Sequence, residues 1–88
     1  MRRQQGSDGL RGPLVAIQGG SIDIEVAPGV VFVDVGPAGS ATTRYSVPKG
    51  RTVTVPVPPV PPGTVLIVST GTGLRRRVVF IEVVAPSP

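Results

Sequence analysis

Apolar and polar residues alternate along much of this chain with a period of two. In the clearest stretch Ile22, Ile24 and Val26 alternate with Asp23 and Glu25, the spacing that sends successive side chains to opposite faces of a strand. Residues 51–57 repeat it, with Val53, Val55 and Val57 set against Thr52, Thr54 and Pro56. Further strands are expected at 14–18, 30–35, 41–47, 64–70 and 74–85. Turn signals separate them: Gly19-Gly20, Pro28-Gly29, Gly36-Pro37-Ala38-Gly39, Pro48-Lys49-Gly50 and Gly71-Thr72-Gly73, the last read as a tight hairpin. Residues 56–62 are Pro-rich. Proline donates no ladder hydrogen bond, so this segment is expected to cross between sheets. No stretch has a helical period. About seven short strands with a turn roughly every ten residues predict an all-β chain, a small β-sandwich.

Residues 1–12 lack this alternation. They are polar, basic and Gly-rich, and are expected to form an extended arm ahead of a sandwich over 13–85, with 86–88 as a tail. Gly6, Gly9 and Gly12 recur every third residue. That is a collagen-like register, under which a trimer is conceivable.

The second half carries a resemblance. Val53-Thr54-Val55-Pro56-Val57, then Pro61-Pro62-Gly63-Thr64 leading into residues 65–68, then residues 78–83, resemble the last three strands of immunoglobulin-like or fibronectin-III-like modules of bacterial and phage surface proteins. The resemblance covers roughly residues 51–84. It implies an immunoglobulin-like sandwich. It departs from the family pattern at Val65, near where many such modules place a tyrosine, and in lacking the cysteine pair of antibody domains.

Several strands are apolar on both faces. In the last, Val79, Ile81 and Val83 line one face, and Val78, Phe80 and Val84 line the other, broken by Glu82. Residues 30–35 and 64–70 behave alike. One sandwich has one interior, so a surplus apolar surface is expected, with Phe32, Leu66, Val68, Val78 and Phe80 on an outer face. Contiguous exposed apolar patches mark interfaces. The expected cover is another subunit, or else the arm or the Pro-rich connector folding back.

The chain has 88 residues, with 12 Gly, 11 Pro, no Cys and no His. Without His or Cys the common zinc, haem and iron–sulfur ligand sets are missing, as are Ser–His–Asp and Cys–His catalytic groups. No cofactor is expected, and enzyme activity is the least expected class. The longest apolar runs (30–33, 65–68, 78–81) are four residues, too short to cross a bilayer as a helix. Met1-Arg2-Arg3 is followed by polar residues where a secretory leader would be apolar.

The net charge is +4. Arg2, Arg3 and Arg11 lie in the arm, and Arg75, Arg76 and Arg77 form one run. That run is expected to open the last strand, with Arg75 and Arg77 on one side and Arg76 on the other. Three roles stay open for it: docking on an acidic protein surface, protecting a sheet edge, or sequence-independent phosphate contact. With only Phe32, Phe80 and Tyr45 as aromatics, base stacking is a poor fit.

These features resemble the small immunoglobulin-like proteins that decorate or cement phage capsids. The expected role is a non-enzymatic virion protein, made in the host cytoplasm, whose partners are capsid or other assembly subunits. On that reading Arg2, Arg3 and Arg11 anchor the arm, Arg75, Arg76 and Arg77 dock on the shell, and the Phe32/Phe80 face buries against a neighbour. Two alternatives stay open: a carbohydrate-binding or adhesion module, and a basic accessory protein bound to nucleic acid.

Overall fold

The computed structural model describes residues 4–7, 9–47, 51–71 and 73–86. They form a β-sandwich of nine strands. The first sheet holds β1 (Gln4–Ser7), β2 (Leu10–Pro13), β4 (Ser21–Val26) and β7 (Thr52–Pro56), in the order β1-β2-β4-β7. The second holds β3 (Val15–Ile17), β5 (Phe32–Pro37), β6 (Thr43–Ser46), β8 (Val65–Thr70) and β9 (Arg77–Val84), in the order β3-β9-β8-β5-β6. Every pairing is antiparallel except β3 with β9. Among the described residues no helix is long and apolar enough to cross a membrane.

Alternation builds the core. Ile22, Ile24 and Val26 from β4 and Val53 and Val55 from β7 are buried against Val33 and Val35 of β5, Leu66 and Val68 of β8, and Val79, Ile81 and Val83 of β9. Most of these side chains are β-branched, with few rotamers to lose on packing into a pleated surface. The outward residues of the first sheet are polar: Arg11, Asp23, Glu25, Thr52 and Thr54 are all exposed. There the Thr54 hydroxyl donates to Asp23 Oδ1 at 2.7 Å across the β4–β7 pair.

The crossover lies where the prolines require it. The chain leaves β7 in the first sheet and reaches β8 in the second through residues 57–64. Val57 N–H donates to the Gly20 carbonyl at 2.9 Å, and Gln18 Nε2 donates to the Val60 carbonyl at 3.0 Å. These bonds hold the connector across one end of the sandwich.

Five expectations are corrected. The segment expected as an arm contributes two strands. Gln4–Ser7 and Leu10–Pro13 pair as a hairpin in the first sheet, Leu10 is buried in the core, and Leu10 and Arg11 pair with Val26 and Glu25. The sandwich therefore extends back beyond residue 13. Gly9, at the start of β2's side of the turn, has φ 103°, a conformation glycine adopts without strain. The glycine triplet register is thus taken up by antiparallel pairing rather than a collagen-like twist.

The strand expected at 14–18 is shorter than that. The chain bends at Leu14 and passes from β2 in one sheet to β3 in the other. Residues 30–35 do not form one two-sided strand either: β5 starts at Phe32 and Val31 stands 68% exposed before it.

Leu66 and Val68 do not belong to an outer face. Both are fully buried, opposite Ile81 and Val79 of β9. A strand apolar on both sides has no inward face legible from its own residues, and register chooses it. Val65 and Ile67 take the outward positions.

Arg75 and Arg76 do not lie in the last strand. Gly73–Arg75 forms a 3-10 turn, and β9 begins at Arg77. Strand alternation therefore does not separate Arg75 from Arg76.

Candidate docking surfaces

Two surfaces stand out. The first is the outer face of the five-stranded sheet. Register sets its rows: Val15, Glu82 and Val65 side by side, then Phe80, Ile67 and Gly36, then Val78, Ser69, Asp34 and Arg44. On the β3, β9 and β8 side the residues are mainly apolar, with Ile17 54% and Phe80 56% exposed. Val78 is half-buried on the same face. Neither the β1–β2 hairpin, which lies in the other sheet, nor the connector removes this exposure.

On the β5 and β6 side the same face is polar. Arg44 Nε donates to Asp34 Oδ1 at 2.9 Å and a terminal guanidinium nitrogen donates to Oδ2 at 3.2 Å. The guanidinium carbon also lies 3.8 Å from the centre of the Phe32 ring, a cation–π geometry. Phe32 is therefore on the expected face but already covered by Arg44. The hydrogen bond from Arg44 to Asp34 and the carboxylate charge hold the guanidinium above its ordinary pKa.

The second surface is the end of the sandwich where β4 runs into β5 and β8 into β9. Arg51, Arg75, Arg76 and Arg77 are all exposed there. The opposite end, formed by residues 18–20, 37–42 and 57–64, contains no charged residue. The basic end thus concentrates its field on one side of the molecule. Leu74, at the 3-10 turn, is fully exposed beside these arginines.

Two adjoining grooves open at the basic end and share Gly9, Ala27 and Pro28. Arg11, Glu25 and Arg51 line one, of about 320 Å³. The other, of about 560 Å³, is lined by Val30, Val31 and Phe32 where the chain enters β5 and by Thr70, Arg75 and Arg77 around the β8–β9 connection. The larger groove is the mouth between the sheets. Thr70 and Arg77 share the inward parity of Val68 and Val79. The Thr70 hydroxyl donates to the Phe32 carbonyl at 2.8 Å, joining the neighbouring strands β5 and β8 at this end.

The sequence-predicted site residues therefore divide. Arg2 and Arg3 lie outside the described residues. Arg11 faces out from β2, opposite Glu25, and lines the smaller groove. Arg75 and Arg77 line the larger one, with Arg76 exposed between them. Phe80 and Val78 share the outer face, and Leu66 is in the core. Sequence reasoning missed Arg51, Val31 and Leu74. Arg51 was read as the first residue of the strand over 51–57, whereas β7 starts at Thr52 and leaves Arg51 exposed ahead of it. Among the described residues no group of three metal-ligating side chains comes together. Comparison with protein-family models, curated proteins and solved structures gives no match.

Proposed function

We propose that this protein is a non-enzymatic docking module of a larger assembly, a decoration or cement protein of a virion shell. One observation carries the reading: a closed core supports two outward sheet faces of opposite character, polar on β4 and β7 and apolar around Ile17, Val65 and Phe80. A patch of that kind suits burial against a neighbouring subunit. The basic loop end supplies the charge that would orient the module on an acidic shell.

The strand order supports the immunoglobulin-like reading. Ahead of β4 the chain divides its edge strand between the two sheets, as β2 and β3, and a Pro-Pro-Gly-Thr corner leads into β8. In this reading the sandwich is a rigid carrier and function lies in what its face and loops touch.

The test is light scattering after size-exclusion chromatography of the producing lysate at low and high salt. Elution with a very large particle, reduced by salt, is the expected result. A monomer of 9.0 kDa under every condition overturns the assembly reading.

A further inference from the structure

We propose that the groove at the basic mouth of the sandwich binds an acidic peptide segment of a partner protein, seating an apolar side chain between two arginines and the β4–β5 loop. The inference deepens the docking reading by naming the chemistry of one contact.

Its volume, about 560 Å³, is in the range of sites that hold a few side chains. One wall is apolar, with Val30 packed on the core and Val31 mostly exposed. The other wall presents Arg75 and Arg77. Among the described residues no carboxylate lines this groove. The nearest acid on β5, Asp34, is forked by Arg44 on the outer face. The Arg77 side chain donates to the Arg76 carbonyl at 3.3 Å. Among the described residues, neither Arg75 nor Arg77 has an acidic partner.

Two arginines and an apolar segment lining one groove ask for a ligand with both characters. Carboxylates match guanidinium geometry with two parallel hydrogen bonds, and an adjacent aliphatic side chain gains by leaving water over Val30 and Val31. Leu74, exposed at the turn that carries Arg75, adds apolar contact beyond the rim. Single-stranded nucleic acid fits less well. It would use an open aromatic face for stacking, whereas the Phe32 ring lies under Arg44, Tyr45 packs against the core, and Phe80 stands on the outer sheet face and does not line this groove.

The experiment selects from a displayed library of random dodecapeptides on the immobilised full chain. The expected result is enrichment of peptides that place two or more Asp or Glu beside Leu, Ile, Val or Phe. Fluorescence anisotropy of the selected peptides should weaken at least tenfold in an Arg75→Ser/Arg77→Ser double variant and again in Val31→Asp. All three positions are exposed, and an unchanged circular-dichroism melt separates lost binding from lost folding. No enrichment, selected peptides without acids, or equal binding by the double variant overturns the proposal. So does loss of the chain to vesicles containing phosphatidylserine, or to a single-stranded oligonucleotide, with no peptide bound. The selection needs no particle. Failure of the assembly reading leaves this result standing, and the reverse also holds.

Discussion

Arg44 covers the ring of Phe32 at 3.8 Å while forking the carboxylate of Asp34. One planar group thus joins a charge on β5 to an aromatic two residues away on the same strand. Lysine has the charge but not the fork or the stacking plane. Arg44→Lys should lower the melting temperature slightly and raise binding of an apolar dye as Phe32 is uncovered. An unchanged melt and dye signal would mean the stack contributes nothing in solution. The raised Arg44 pKa adds no pH dependence near neutrality. A group whose folded pKa lies above its unfolded value contributes fully below both and loses that contribution only as pH climbs through the folded one. For arginine that window is strongly alkaline, so this contribution should be flat from about pH 6 to about pH 10.

The two faces of the five-stranded sheet should respond differently to truncation. Leu66→Ala removes a fully buried side chain and should cost about 2–5 kcal/mol in urea unfolding. Ile17→Ser, at a half-exposed position, should shift the isolated chain by only about 0.5 kcal/mol while weakening whatever packs on the apolar face. Equal costs in the isolated chain would contradict the assignment of inner and outer positions.

Gly71 should control the basic loop separately from the core. It has φ 81°, and a Cβ there would meet the Arg75 carbonyl oxygen at 2.5 Å. Gly71→Ala must therefore move the turn that presents Arg75. Amide chemical shifts should change across residues 71–77 and in the β4–β5 loop. Unfolding should remain cooperative, because Val68 and Val79 keep their pairing. Shift changes spread evenly over both sheets would refute this separation.

How far the sequence revealed the structure depends on how one-sided each strand is. Strand β4 was legible because Asp23 and Glu25 mark its wet face. Strand β8 was legible in place but not in facing, since Val65, Leu66, Ile67 and Val68 offer no polar residue to fix the parity. The β1–β2 hairpin was hidden by its polarity, although Asp8-Gly9 is a strong two-residue turn signal and Leu10 supplies an apolar anchor. Of the candidate site, the arginine run was visible as a charge cluster. Its groove was not, because Gly9, Val30 and Val31 join Arg75 and Arg77 only through the meeting of three connections distant in sequence.

Strand β9 lies between β3 and β8, pairing Ala16 with Val83 and Leu66 with Ile81. A ribosome delivers β3 early and β9 last. Before then the five-stranded sheet lacks the strand that joins its first segment to the rest, and non-local pairing of this kind cannot be replaced by local contacts. The sandwich should therefore fold only after β9 has been made. Arrested nascent chains ending before Arg77 should stay protease-sensitive, whereas the whole chain held clear of the ribosome on a linker should resist. An allele truncated within β9 would yield no smaller working module, only a substrate for degradation.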